Sequence, residues 1–343
     1  MNRMTPSPEE RYSRQILFRE WGEQGQQIFS SRSVVVVGCG ALGTFQAAAL
    51  ARAGIGRLRI VDRDYVELSN LQRQWMFDES AAESVLPKAI AAQREIRRVN
   101  PLVEVEAVVD DLTARNVDDH LAGAHLILDG TDNFETRYLL NEFAVRENKP
   151  WIYGGAVGSY GIAMPVIPGE TACLSCIYPC PPAGTAETCD TIGVLNTITA
   201  MVAAWQVSLA FRVLLGNSDP AAHRITNFDV WRGTVRQIPM PARDPQCHVC
   251  GKHDFPRLAG EIRVPVSLCG RNAVQIHDRS GVIDLTALRH RLETLGTVRA
   301  NEFALRFSIP GYDLTVFPDG RAIIKGTQDV AIARSLYARY IGS

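Results

Sequence analysis

Apolar positions in the first half of the chain switch repeatedly between two periods. Ser33–Val37 is an unbroken, mostly β-branched run, which predicts a strand buried on both faces. Residues 44–53 then read as a helix closed by Gly54 and Gly56, and residues 58–61 as a second buried strand ending at Asp62. Strand, helix and strand in that order make a βαβ unit. Pro87 opens another helix at its first turn, with Ala89, Ala92, Ile96 and Val99 on its apolar face. Residues 103–109 alternate as a strand, 126–128 form a short buried strand ending at Asp129, 141–147 look helical, and 151–153 form another strand. This alternation over residues 33–155 predicts a parallel, doubly wound sheet.

Ahead of it, residues 11–29 read as an amphipathic segment rich in Arg and Gln. From Ile162 the pattern changes to strands and loops. Residues 179–184 are a Pro-rich loop, 195–215 a long apolar helix and 224–240 an antiparallel return. Asn196, Gln206 and Arg212 interrupt the long helix, which favours a buried or interface helix over a membrane span. Residues 263–343 have a pattern of their own. Phe303, Leu305, Phe307 and Ile309 alternate, as do Leu314 and Val316. A turn at Pro318-Asp319-Gly320 precedes Ile323-Ile324, and a last helix lies near 330–340. A boundary near 257–262 thus divides the chain into a large domain, 1–257, and a small α/β module, 258–343.

Composition agrees with two such units: 343 residues, 46% hydrophobic and 21% charged. A formal net charge of −1 leaves no basic footprint, so neither nucleic acid nor an acidic membrane is expected as a partner. Residues 1–10 lack the apolar stretch of a signal peptide, and a cytoplasmic chain is expected. In that setting paired cysteines favour metal or redox chemistry over disulfides. Two C-x-x-C pairs are present, Cys173 with Cys176 and Cys247 with Cys250, some seventy residues apart. Together they offer a tetrahedral sulfur shell for Zn2+, closed and therefore structural. His248, inside the second pair, is expected to be a bystander. Cys39 is expected to pack within its loop and Cys269 in the core of the tail.

The loop Gly38-Cys39-Gly40-Ala41-Leu42-Gly43 joins the first strand to its helix. G-x-G-x-x-G at that place lets backbone N–H groups approach phosphates at a helix N-terminus. Asp62 ends the next strand, where it can hydrogen-bond a ribose hydroxyl. Taken alone, these features point to a nicotinamide-dependent dehydrogenase. The following residues point elsewhere. Asn70 and Arg73 lie just past Asp62, Lys88 stands in the first turn of the next helix, and Thr131-Asp132-Asn133 follows the strand ending at Asp129. All would emerge at the carboxyl ends of parallel strands, where ligands bind. Arg73 and Lys88 can neutralise a triphosphate. Asp132 can hold Mg2+, which is bound through few carboxylates plus phosphates. An enzyme that splits a triphosphate needs such a carboxylate; a dehydrogenase does not. Taken singly, a solvated helix-start lysine and a surface arginine are the plain alternatives for Lys88 and Arg73.

Arg11-Tyr12-Ser13-Arg14-Gln15, the glycine loop, Asp62, Ser69-Asn70-Leu71-Gln72-Arg73-Gln74, Pro87-Lys88, Thr131-Asp132-Asn133 and the cysteine pairs together resemble the ThiF/MoeB/HesA family. These are the bacterial relatives of ubiquitin-activating enzymes. The resemblance covers residues 11–252. The tail, with Gly320-Arg321-Ala322-Ile323-Ile324 and Arg334-Ser335-Leu336-Tyr337, is similar to the C-terminal extension of ThiF proteins of the Bacillus type and not to a rhodanese domain. The resemblance implies an α/β fold: a Rossmann-like, doubly wound, mostly parallel sheet with an antiparallel extension and a zinc site. It implies ATP-dependent adenylation of the C-terminal glycine carboxylate of a ThiS-like, ubiquitin-like sulfur carrier ending in Gly-Gly, for thiazole (thiamine) biosynthesis. A carrier of molybdopterin synthesis or tRNA thiolation is the alternative.

In the family pattern, Gly38, Gly40, Ala41, Gly43, Asp62, Asp64, Asn70, Arg73, Lys88, Asp132 and Asn133 would hold ATP and Mg2+. Asp62 would take the ribose and Asn70 would orient phosphates. Arg14 would reach into the partner subunit's site in a homodimer. Cys189 matches the position of a thiol used in thioester or acyl-disulfide chemistry during sulfur transfer, with a cysteine desulfurase or other sulfur donor as a further partner. Leu195-Asn196-Thr197 departs from the Ser-Pro or Ala-Pro that relatives carry just after it. Cys180 has no family counterpart and is expected to be a free loop thiol.

Overall fold

The computed structural model describes residues 8–180, 192–216, 223–261, 267–268, 273–277 and 283–342. Cys189 and Cys269, for which roles were read from the sequence, lie outside the described residues. Two short helices open the chain, α1 (Pro8–Ile16) and α2 (Gly22–Ser30), where the sequence suggested one amphipathic segment. The break follows from polar packing. Gln15 donates to Gln26 Oε1 at 2.7 Å, and both carboxamides donate to Ala53 O, which folds α2 back beside α1.

Strands β1 (Ser33–Val37), β2 (Arg57–Val61), β3 (Glu104–Val108), β4 (Leu126–Asp129) and β5 (Trp151–Val157) pair in parallel in the order β3-β2-β1-β4-β5. Helices α3 (Gly43–Ala53), α4 (Glu79–Glu83), α5 (Lys88–Val99), α6 (Val117–Leu121) and α7 (Phe134–Arg146) fall between them. β1 is apolar from Val34 to Val37 because both its faces are covered. Val34 and Val36 join one core with Leu50, Ile60 and Ile96; Val35 and Val37 join another with Leu121, Leu140 and Trp151.

Three further strands, β6 (Tyr160–Val166), β7 (Arg224–Asp229) and β8 (Thr234–Pro239), extend the sheet antiparallel to eight among the described residues. β8 forms its exposed edge. Helix α8 (Leu174–Ile177) carries part of the first cysteine pair. Helix α9 (Asn196–Leu214) is long and apolar enough to cross a membrane, yet half of it is buried inside the fold. Its fully buried Gln206 donates to Asp129 O and Ile152 O and accepts from Gln46 at 2.6 Å, so polar pairing locks it to the sheet.

Two boundaries differ from expectation. α7 begins at Phe134 rather than near Asn141, because Asn133 caps it by accepting from Thr136 N. Its apolar period is obscured by Arg137, Asn141 and Glu142, which face inward and are satisfied there. Pro87 stands just outside α5 with an extended ψ of 137° and bridges to Tyr65, so Lys88 is the first helical residue.

The tail forms a second sheet, antiparallel, in the order β11-β12-β13-β14-β10-β9. Its strands are β9 (Ser267–Leu268), β10 (Ala273–His277), β11 (Thr297–Ala300), β12 (Leu305–Ile309), β13 (Tyr312–Val316) and β14 (Arg321–Lys325). The expected alternation buries Leu305 and Phe307 against Leu314, Val316 and Ile324. Helices α10 (Leu285–Leu292) and α11 (Val330–Tyr340) cover that face, capped by Asp284 and Asp329. The tail meets the main domain where Ala273, Ala304, Phe317 and Ile323 enclose Tyr65 and Val85.

Candidate functional site

The order of the large sheet reverses between β1 and β4. Loops leaving their carboxyl ends part at this switch point, the place where open α/β sheets form their ligand crevice. The glycine loop leaves β1 and residues 130–133 leave β4. They meet at the base, where Gly130 N donates to Val37 O at 2.8 Å. Packing dictates two glycines: a Cβ on Gly43 would lie 1.8 Å from Gly38 O, and one on Gly38, whose φ is +86°, would lie 2.6 Å from Gly130 O. Gly40 is different. A Cβ there would meet Gln74 Nε2 at 3.9 Å and nothing nearer. No protein atom demands a glycine at 40, so its bare backbone leaves room for a group to approach the head of α3.

The glycine loop hangs on Asp62, which is 8% exposed. One carboxylate oxygen accepts from Cys39 N and the other from Asp64 N. Burial pushes the Asp62 carboxyl up, against the pull of Lys88. Burial and Asp62 together push the Cys39 thiol up, and Cys39 is fully buried, as expected of a packing residue. Lys88 is 3% exposed. Its Nζ lies 3.2 Å from Asp64 Oδ2, and its N–H donates to Asp64 O at 2.9 Å. Asn70 Oδ1 accepts from Glu67 N and closes the turn Leu68–Asn70. The half-buried Arg73 then donates to Ser69 O at 2.9 Å. Asp62, Asp64 and Lys88 thus belong to one connected set, while Asn70 is bonded to Glu67. Asp132 is exposed past β4, and the Asn133 carboxamide is engaged in capping α7.

Arg14 stands apart. Helix α1 is anchored by Arg11 to Val99 O and by Gln15 to Ala53 O, at the carboxyl ends of α5 and α3. The glycine loop sits at the opposite end of α3, ~16 Å away along a helix of eleven residues. The exposed Arg14 therefore lies far from its own chain's loop.

Two residues that sequence reasoning passed over frame the crevice. Arg63 pairs with Asp111 at 2.8 Å; although burial opposes its charge, Asp111, Asp64 and Asp132 hold its pKa up. Its place directly after Asp62 was the available signal. Arg137, 6% exposed, donates to Asp129, Thr131 O and Gly154 O and so fixes the 129–132 segment. Nothing short of the tertiary contact marks an arginine in a helix as inward-facing.

The second feature is a sulfur cluster. Cys173 Sγ lies 3.9 Å from Cys176 Sγ and 3.7 Å from Cys247 Sγ, and Cys176 lies 3.3 Å from Cys250. All four sulfurs fall within 4.8 Å of one another. Four sulfurs at ~2.3 Å from zinc in a tetrahedron are about 3.8 Å apart, so the residues fit this metal. Burial pushes the Cys173 thiol up to about 11, and a cation at the centre offsets that cost by taking the thiolates as ligands. Tight turns shape both pairs: Cys176 N donates to Cys173 O and Gly251 N to Cys247 O. His248 is exposed and outside the cluster. The four thiols bring the end of β6 to the segment after β8 against α7, and a metal held there would staple the two together. Cys180 is exposed nearby.

A doubly wound sheet with an antiparallel extension, a glycine loop at its switch point and a four-thiol cluster that fits a metal define an α/β class. The chain belongs to the ThiF family, whose profile matches residues 12–249. It is 42% identical over 338 residues to the sulfur carrier protein ThiS adenylyltransferase of Bacillus subtilis, covering 97% of this chain and 99% of that one. It is 38% identical over 256 residues to a sulfur carrier protein adenylyltransferase of Thermus thermophilus, covering 73% of this chain and 93% of the relative. The fold also matches the crystal structure of E. coli MccB, with a TM-score of 0.63 over 72% of this chain and 74% of that chain, at 23% identity.

Proposed function

We propose that this chain is an ATP-dependent adenylyltransferase that activates the C-terminal glycine carboxylate of a ThiS-like sulfur carrier for thiazole formation. The match to the Bacillus subtilis enzyme supports this best, because it extends over the tail as well as the ThiF region. The similarity to the Thermus thermophilus enzyme spans less of the chain. That difference favours the ThiS-type carrier over carriers of molybdopterin synthesis or tRNA thiolation.

In this reading residues 1–257 are the adenylation domain and 258–343 a small α/β domain. The open backbone at Gly40 and the head of α3 receive phosphates, with Gly38, Ala41 and Gly43 shaping the loop. Asp62, at the end of β2, takes the ribose. Lys88, held by Asp64, and Arg73, held at Ser69 O, face the triphosphate, and Asn70 and Asn133 help orient it. The carrier carboxylate attacks the α-phosphorus and pyrophosphate leaves. A carboxylate and a triphosphate repel one another, so the protein's task is charge neutralisation and alignment. Mg2+, held at Asp132, would supply charge on the phosphates. Arg14 serves the partner subunit's crevice in a homodimer. Cys189 would take the carrier covalently during transfer of sulfur from a cysteine desulfurase or similar donor. Carrier-dependent ATP–pyrophosphate exchange tests the reading. Arg73→Ala and Asp132→Ala are expected to reduce exchange strongly, and full exchange in both would overturn the site.

A further inference from the structure

The tail grips the two segments that carry Arg73 and Lys88. These segments are already tied to one another. Val66 N donates to Leu86 O and Lys88 N to Asp64 O, both at 2.9 Å, and Tyr65 bridges to Pro87. From the tail, Lys325 on β14 forms an ion pair with Glu67, whose side chain caps the turn Leu68–Asn70. Lys325 Nζ and the Arg306 guanidinium also stand 5.6 and 6.0 Å from the centre of the Tyr65 ring. Asn301 Nδ2, between β11 and β12, donates to Ser84 O at 2.7 Å and Val85 O at 3.0 Å.

Val85 shows what this grip does. Its φ is +52°, a left-handed conformation that a β-branched residue avoids on steric grounds. Such a backbone persists only where surrounding structure imposes it. Here Asn301 holds its carbonyl, and Ala273, Ala304, Phe317 and Ile323 bury its side chain against Tyr65. Three residues later the chain places Lys88.

We infer that the tail positions the cationic groups of the crevice: Lys325 through Glu67, and Asn301 through Val85, set where Arg73 and Lys88 present their charge to the nucleotide. The inference rests on the nucleotide role proposed for those two side chains. Lys325 and Asn301 are positioning residues. A tail that acted instead on the carrier would have no need to hold both nucleotide segments.

The test compares full-length wild type with Lys325→Met, Asn301→Ala and Lys325→Arg, each checked for zinc content and melting. ATP affinity is measured with Mg2+ by titration calorimetry without carrier, and KM for ATP and for carrier by pyrophosphate exchange. Lys325→Met and Asn301→Ala are expected to weaken ATP about tenfold, with carrier KM unchanged and Lys325→Arg restoring most of the loss. Unchanged ATP affinity in both variants, or a change confined to carrier KM, overturns the inference. If wild type binds ATP but shows no carrier-dependent exchange, the proposed activity falls, while the calorimetric comparison still decides the tail's role.

Discussion

Lys88 Nζ lies 3.2 Å from Asp64 Oδ2, with only 4% of the lysine side chain and 14% of the carboxylate exposed. The carboxylate fixes the direction in which the buried lysine points. Lys88→Met fills similar space without the charge. Exchange activity is expected to fall about 100-fold or more. Loss of one partner of a buried pair also costs stability on the order of 3 kcal/mol, readable by urea denaturation. Retained exchange would remove Lys88 from the phosphate site.

The two glycines that differ in surroundings should differ in effect. Gly43→Ala forces a Cβ onto Gly38 O and is expected to destabilise the fold by about 1–3 kcal/mol or more. Gly40→Ala meets nothing closer than 3.9 Å and should leave the melting temperature nearly unchanged while ATP affinity drops. Calorimetric melting and ATP titration on both variants separate packing from ligand approach. Unaltered ATP affinity in Gly40→Ala contradicts the assignment.

Metal analysis of the purified chain is expected to give one zinc per chain. Cys247→Ser should lose it and unfold at lower temperature, because the staple between β6 and the segment after β8 is broken. Since all four positions are filled by sulfur, replacing zinc with cadmium should preserve exchange. Exchange that required zinc itself would give this metal a chemical role.

Burial alone would raise the Glu67 pKa, but Lys325, the Tyr65 hydroxyl and Arg306 outweigh it and hold the carboxyl below its ordinary range. A carboxyl with a depressed folded pKa contributes stability above the unfolded value of about 4.3, and that stability is lost as pH falls through the folded value. Urea unfolding of wild type should therefore weaken below that pH. The dependence is expected to shrink in Lys325→Met. An identical acid limb in both proteins would show that the pair contributes nothing.

Local pattern made much of this molecule readable. Val34 to Val37 announced a strand with two covered faces, Leu305 and Phe307 a one-sided strand, and the last helix has the bounds its sequence suggested. The cysteine pairs foretold their own meeting, because thiols at that spacing have one common geometry. The crevice was legible as a set of residues but not in its wiring. Asp62 was read as a ribose ligand, whereas its carboxylate also suspends the glycine loop through Cys39 N. Arg137 was passed over, since only Asp129, Thr131 O and Gly154 O reveal why it is buried. The contact between Asn301 and Val85 joins residues more than two hundred positions apart and leaves no periodicity to read.

Cys189 carries the proposed covalent step on its place in the family pattern. Cys189→Ala is expected to retain carrier-dependent pyrophosphate exchange, which precedes sulfur transfer, and to lose most thiocarboxylate formation. Full-rate thiocarboxylate formation by the variant would remove the thiol from the chemistry.

Adenylation of the carrier is tested most directly by intact-mass spectrometry of a ThiS-like protein incubated with this chain, ATP and Mg2+. The expected product is the carrier bearing one adenylyl group on its terminal glycine carboxylate, formed in wild type and absent with Lys88→Met. A carrier left unmodified while the wild-type chain is folded and binds ATP would contradict the proposed activity.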